Sequence, residues 1–462
     1  MNILVFLVIG CVLCLTSAQP AQDEVKSLPG VISPQLSSRQ YSGYLSASNT
    51  IKLHYWFVES ERDPQNDPLV LWMNGGPGCS SLDGYLSELG PYLINPDGKT
   101  LTQNVNSWSK VANVLFLEAP AGVGFSFSDN QNYTTGDNET AKNNYLALLD
   151  FFAKFPNMAK KPFFITGESY GGVYVPTLAI RVMANASINF QGFAIGNGLL
   201  DSVMNTNTAV YYAYYHAILG EDVWAKLQQY CCKDGKCNFA APPNQQCEEI
   251  AIGVQHTMFG IGINPYDVTG DCAGGVPGYS SFQKQQVFLK HFFEPSFLKA
   301  MKRPKPNETI SYGDGSTIPC IDAKPQTQYL NSADVRAVLH IPDHVSEWAI
   351  CSSAVGAGYK REFQTMRELF GMLLPKHRAL IYNGDADMMC NFLGDQKFVA
   401  SLNQKELNPR KPWIYANQIA GFVHEYDQIT FMTVKNAGHM VPSFTPGAAL
   451  QMITNFLSNK PQ

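Results

Sequence analysis

The stretch Phe163-Phe164-Ile165-Thr166-Gly167-Glu168-Ser169-Tyr170-Gly171-Gly172 constrains this chain more than any other. An apolar run ends in Gly-Glu-Ser-Tyr-Gly, and small and apolar residues continue to Pro176. That is the form of a nucleophile elbow, in which a strand turns sharply into a helix and lifts a serine off the end of a sheet. Gly167 and Gly171 suit so tight a turn, where a bulky side chain would clash. A G-x-S-x-G match alone is weak. It gains weight with oxyanion donors upstream and an acid and a histidine downstream, and the chain supplies all three.

Leu69-Val70-Leu71-Trp72-Met73 is a continuous apolar run, as expected of a strand buried on both faces. It feeds the loop Asn74-Gly75-Gly76-Pro77-Gly78-Cys79. Val111 to Leu117 repeats the pattern, and further strands are expected over Phe190–Ile195, Arg378–Tyr382 and Ile429–Val434. Helical spacing marks Ala141–Phe155 and Ala448–Leu457, while Tyr41–Leu45 and Ile51–Val58 alternate as two antiparallel strands. Strands alternating with helices indicate one mostly parallel α/β sheet with ligands at the strands' C-terminal ends. From about Leu200 to Cys320 the alternation breaks down, and this part reads as a disulfide-rich cap inserted over the sheet.

Serine needs a base within hydrogen-bond reach, and the base needs a carboxylate to fix its tautomer. His439 follows a late strand, and Asp385 and Asp387 both follow the strand before it. The order Ser169, Asp, His439 is that of α/β-hydrolases. The N–H of Tyr170 and the Gly75-Gly76 loop are candidate oxyanion donors. No Gly-Lys-Ser/Thr follows those glycines, so a phosphate loop is rejected. Glu168 beside the nucleophile would repel an oxyanion if ionised. Sharing a proton with a second carboxyl, it becomes a donor for a substrate carboxylate, a device that works best at acid pH.

The 462 residues carry a net charge of -5 without a long Lys/Arg block, which argues against nucleic acid as a partner. Residues 2–15 are apolar and end in Thr16-Ser17-Ala18, so a signal peptide over 1–18 is expected, leaving 19–462 as the mature domain. No later segment is apolar enough to span a membrane. Cys11 and Cys14 leave with the signal, and the nine remaining cysteines suggest four bridges and one free thiol. The crowding of Cys231, Cys232, Cys237 and Cys247 fits disulfides better than a metal, and no cofactor is implied. Sequons at Asn132, Asn138, Asn185 and Asn307 would be surface loops if glycosylated. The basic run Lys299–Lys305 reads as an exposed loop, either a nicking site or a solvated turn.

Together, Trp72–Ser81, Gly167–Gly172, Gly384–Asp387 and Gly438-His439-Met440-Val441-Pro442 resemble the signatures of serine carboxypeptidases. Arg39–Leu45, Cys231-Cys232 with Lys236–Phe239, and Cys272–Pro277 are most similar to the lysosomal animal members. The resemblance covers nearly the whole mature chain. It implies an enzyme that removes C-terminal residues from peptides, with apolar preference, at acid pH, in the lysosome or outside the cell. Ser169, Asp387 and His439 would be the triad, Gly76 and Tyr170 the oxyanion hole, and Asn74, Gly75, Glu88 and Glu168 the binders of the substrate's carboxylate. The bridges would be Cys79–Cys351, Cys231–Cys247, Cys232–Cys237 and Cys272–Cys320, with Cys390 free near the site. It also implies a homodimer, a zymogen matured by excision within Lys299–Ser316, and a complex with lysosomal glycosidases. The alternatives are an esterase or amidase on the same scaffold, or a protective subunit for other lysosomal hydrolases.

Overall fold

The computed structural model describes residues 19–35, 38–260, 262–273, 275, 289–298, 318 and 320–462. The leader, Asn307 and the Lys299–Ser316 loop lie outside the described residues.

A sheet of 12 strands organises the molecule, in the order β1-β2-β3-β5-β4-β7-β8-β9-β12-β11-β10, with β6 added alongside β3. The strands are β1 (Glu24–Val25), β2 (Gln40–Ser46), β3 (Ile51–Val58), β4 (Leu69–Met73), β5 (Asn113–Leu117) and β6 (Phe127–Ser128). They continue as β7 (Phe163–Ser169), β8 (Phe190–Gly198), β9 (Arg378–Gly384), β10 (Glu406–Tyr415), β11 (Gln418–Tyr426) and β12 (Ile429–Val434). From β5 to β12 the central strands pair in parallel, and both flanks are antiparallel. Every residue of β4, β5 and β7 is buried, because helices cover both faces and leave these strands no polar side. Apolar clusters lie on each face. Leu71, Ile165, Phe193 and Ile381 point into one, and Val70, Phe164, Ala194 and Leu380 into the other, the period-2 alternation of strands packed on both sides.

Helices α1 (Asp137–Lys154) and α2 (Gly171–Met183) pack against the sheet around β7, and α7 (Pro446–Leu457) closes the chain. Between β8 and β9 come α3 (Ser202–Tyr215), α4 (Glu221–Cys231) and α5 (Gln245–Phe259) and, later among the described residues, short helices at Lys324–Leu330, Ala333–Val338, Ser353–Gly358 and Arg367–Leu373; α6 (Phe392–Ser401) follows β9. Cys231–Cys247 ties α4 to α5, Cys232–Cys237 closes a short hairpin, and Cys272–Cys320 links two strands of irregular chain. Cys79–Cys351 fastens the loop after β4 to the segment before β9. Among the described residues no helix is long and apolar enough to cross a membrane. Asn132 and Asn138 are exposed, whereas Asn185 is half-buried with its amide donating to the Tyr145 hydroxyl at 3.1 Å.

Candidate active site

Strand order builds the site. With β4, β7, β8, β9 and β12 adjacent and parallel, the loops that follow them converge on one edge of the sheet. Ser169 ends β7 with φ 63°, a left-handed conformation that a non-glycine residue holds only when its surroundings enforce it. Here the enforcement is the hydrogen bond from Leu199 N to Ser169 O at 2.9 Å and the start of α2 immediately afterwards. The Tyr170 N–H stands at the N-terminus of α2, where unpaired amides and the helix dipole favour negative charge. Across from it, a Cβ on Gly75 would overlap Tyr170 N, so the loop after β4 can approach the elbow this closely only as glycine.

His439, on the loop after β12, is buried and contacts Asp387 through Nδ1 and Oδ2 at 2.8 Å. Asp387 is fully buried and saturated. Its Oδ2 also accepts from Asn197 Nδ2 at 2.9 Å and from Cys390 N at 3.1 Å, and its Oδ1 accepts from Met389 N at 2.9 Å. Asp385 turns elsewhere and accepts from Asn436 N at 2.8 Å. Nε2 of His439 is buried with no hydrogen-bond partner among the described residues. Ser169, His439, Asn74, Gly75, Gly76 and Glu168 line one cavity, whose walls include Asp83, Tyr266, Phe292, Ile318, Ile321 and Met440. Cys390 is a buried free thiol behind Asp387, and burial pushes its pKa up and away from the reactive thiolate form.

Beside the elbow lies a carboxyl pair. Asn74 Nδ2 donates to Glu88 Oε1 at 3.0 Å and to Glu168 Oε1 at 2.9 Å. The amide is itself fixed, since Asn74 Oδ1 accepts from Trp72 Nε1 at 2.7 Å and from Gly84 N at 3.2 Å. Burial pushes Glu88 up to about 8, and the neighbouring Asp83 charge adds to the rise. Glu168 is raised well above the ordinary carboxyl range by burial and then by Glu88 and Asp83. The second oxygen of Glu88 is buried with no hydrogen-bond partner among the described residues.

Another Ser–His–carboxylate series exists and is inert. His54 bridges Ser42 Oγ and Glu118, both at 2.9 Å, but Ser42, His54 and Glu118 are fully buried and Ser42 Oγ donates to Leu339 O. No substrate can reach it.

Asn197 and Asp83 escape a reading of motifs. Asn197 could have been suspected, because Gly196-Asn197-Gly198 ends a buried strand as the other site loops do. Asp83 carries no local signal beyond its place just after the glycine-rich loop.

Comparison with known proteins identifies the family. The family of serine carboxypeptidases, peptidase family S10, matches residues 29–459. The lysosomal protective protein of Mus musculus is 47% identical over 453 residues, covering 96% of this chain and 95% of its own. A serine carboxypeptidase of Caenorhabditis elegans is 40% identical, covering 100% of this chain and 98% of its own. The fold is also that of the crystal structure of Kex1(delta)p, a prohormone-processing carboxypeptidase from Saccharomyces cerevisiae, with a TM-score of 0.72 at 22% identity and 95% and 96% coverage. With a family match along almost its whole length and close relatives over the same span, the chain is an enzyme that belongs to the serine carboxypeptidase family.

Proposed function

We propose that the enzyme removes C-terminal residues, with apolar preference, at acid pH through an acyl-enzyme formed on Ser169. The observation that carries the reading is Asn74 and Glu168 lining the same cavity as Ser169 and His439, with Glu88 bonded to Asn74 and Asp387 bonded to His439. Ser169 Oγ attacks the last peptide carbonyl while His439 Nε2 takes its proton, and Asp387 stabilises the imidazolium. The backbone N–H groups of Gly76 and Tyr170 receive the oxyanion. His439 then protonates the leaving amine, and water repeats the sequence on the acyl-enzyme.

The carboxyl pair suits a substrate that ends in a free carboxylate, as a peptide end does. A buried carboxyl that retains its proton donates to a substrate carboxylate; Asn74, whose two amide hydrogens go to Glu88 and Glu168, holds those carboxyls in place, and the Gly75 N–H completes the clamp. Tyr266, Phe292, Ile318, Ile321 and Met440 give the cavity apolar walls, which favour an apolar side chain there. The segment from about 200 to 320 would cap this cavity. Occupied glycans at Asn132, Asn138, Asn185 and Asn307, homodimerisation, excision within the Lys299–Ser316 loop and delivery to the lysosome or the cell exterior complete the proposal, as does the assignment of residues 1–18 as signal peptide. A protective association with lysosomal glycosidases would be an added role, in keeping with the printed name of the mouse relative.

The test is release of the C-terminal amino acid from a blocked dipeptide acid and from its amide, between pH 4 and 8, with Ser169→Ala alongside. Turnover of the acid that fades as pH rises and vanishes in Ser169→Ala is expected. Preference for the amide would sink the carboxylate clamp, and unchanged turnover in Ser169→Ala would sink the serine mechanism.

A further inference from the structure

Between α5 and the Cys272–Cys320 bridge, the chain passes through Asn264-Pro265-Tyr266-Asp267-Val268 and touches both loops of the acid–base pair. Pro265 O accepts from Met388 N at 3.0 Å and from Met389 N at 3.2 Å, and Val268 N donates to Ala386 O at 2.9 Å. These bonds bracket Asp387. One residue along, Tyr266 O accepts from His439 N at 2.8 Å. The Tyr266 ring stands edge-on to the His439 ring, with centroids 5.1 Å apart. A Cβ on Gly438 would overlap Tyr266 O, so glycine is required for so close an approach.

Asp387 and His439 lie 52 residues apart on separate loops, joined directly by one side-chain hydrogen bond. The loops also meet just beyond the sheet, where Asp385 N donates to Val434 O at 3.1 Å, Asn436 N to Asp385 Oδ1 at 2.8 Å and Ala386 N to Ala437 O at 2.9 Å; next to Asp387 and His439 themselves, the backbone bonded to both loops is Pro265–Val268. The Pro265–Val268 backbone therefore sets how far each loop stands from the other at the level of the reacting groups. Its own shape depends on Asn264. The Asn264 Oδ1 accepts from Tyr266 N at 3.0 Å, its carbonyl accepts from Asp267 N at 3.3 Å, and its Nδ2 donates to Asp271 O at 3.2 Å. This is a side-chain-closed turn of the kind asparagine forms well.

We infer that Asn264–Val268 is a strap that sets the geometry of the Asp387–His439 pair, and that Asn264 is its positioning residue. The inference rests on the roles proposed above for Ser169, Asp387 and His439. Main-chain bonds cannot be deleted by substitution, but the side chain that shapes them can. Loss of the turn lets Tyr266 O drift from His439 N, and a displacement of about 1 Å at a catalytic group costs up to about a hundredfold in rate. The substrate's carboxylate is held by Glu168 and Asn74, which the strap does not touch, so affinity should change less than rate.

The experiment compares Asn264→Ala, Asn264→Asp and Ser169→Ala, each first shown folded by its melting curve. Two probes are used, a blocked dipeptide acid and a fluorophosphonate that lacks any carboxylate and reports the reactivity of Ser169 independently of the carboxylate clamp. For Asn264→Ala, kcat and the phosphonylation rate should fall together by about tenfold to a hundredfold, with a smaller change in KM. Asn264→Asp keeps the acceptor for Tyr266 N and should recover most of that loss. A folded Asn264→Ala with kcat within about twofold of the parent overturns the strap, as does a change confined to KM. So does an Asn264→Asp variant that falls as far as the alanine. Should Asn264→Ala fail to fold, Asn264→Ser, which keeps a shorter acceptor, is read by the same split. Turnover persisting in Ser169→Ala would overturn the serine assignment itself, a failure distinct from that of the strap.

Discussion

Oδ2 of Asp387 lies 2.8 Å from Nδ1 of His439, while the carboxylate two residues earlier is spent on a backbone amide. The loop after β9 thus holds two aspartates with separate work. Asp387 fixes the imidazole so that Nε2 faces the cavity; Asp385 pins the turn after β12. Asp387→Asn should lower kcat by about 10⁴-fold, because the amide favours the wrong tautomer. Asp385→Asn keeps an acceptor for Asn436 N and should leave kcat within a few-fold. Steady-state kinetics on a blocked dipeptide acid separates the two, and equal losses would refute the division of labour.

The carboxyl pair predicts how affinity responds to pH. Below about 8, Glu88 retains its proton, and Glu168 is raised as well, so the pair donates to a substrate carboxylate. Raising pH removes these protons and leaves negative charge facing negative charge. KM for a peptide acid should therefore climb as pH rises through about 8, and KM for the matching amide should not. Glu168→Gln presents an N–H donor at every pH and should flatten the climb. A Glu168→Gln enzyme whose KM rises as steeply as that of the parent would mean another group is titrating.

The same buried acids affect stability. In the unfolded chain a glutamate titrates near 4.3, whereas burial raises Glu88 to about 8 and also raises Glu168, Asp83, Asp137 and Asp395. Between those limits the folded protein binds more protons than the unfolded one, so stability falls as pH rises through the window. His291 acts in the opposite sense at lower pH. Burial depresses it to about 4, so its contribution is lost as pH falls from 6.5 towards 4. The melting temperature should peak in mild acid and decline towards pH 8. A thermal-shift series that instead climbs steadily from pH 5 to pH 8 would contradict this account.

What could be read from the sequence divides along physical lines. Strands buried on both faces are unbroken apolar runs, and β4, β5, β7, β9 and β12 lie where such runs occur, each followed by a glycine-bearing loop. The hairpin β10–β11 leaves no such trace. β10 is an edge strand, mostly exposed, with Pro409 and Pro412 in it, and proline is tolerated only where no ladder partner needs its N–H. Asp385 and Asp387 could not be separated by residue type or spacing, because their difference lies in which atoms they meet. The contacts of Asn197 with Asp387 and of Asp83 with Gln326 are likewise made across the fold, whereas the bonds of Asn264 form a local turn whose link to the catalytic loops exists only in the folded chain.

Asn197 offers the sharpest test of how the acid is held. It ends β8 with φ 40°, and its amide is used at both ends: Nδ2 donates to Asp387 Oδ2 at 2.9 Å, and Oδ1 accepts from Gly384 N at 2.9 Å. Asparagine tolerates that backbone better than most residues, so the position demands both the conformation and the donor. Asn197→Ala removes the donor and leaves a buried amide of β9 unpaired, which costs about 1–3 kcal/mol of stability. The turn should still form, and Asp387 keeps its backbone donors, so a fall in kcat of about tenfold to a hundredfold is expected. Asn197→Asp should be worse despite being the closer match in shape. It would bring a second carboxylate to within hydrogen-bond distance of Asp387, and two buried carboxylates cannot both stay ionised there. One of them must take up a proton, and if that one is Asp387 it no longer stabilises the imidazolium. The order parent, Asn197→Ala, Asn197→Asp in kcat at pH 5 is therefore the expected result. Reversal of the last two would show that shape, rather than charge, governs this contact.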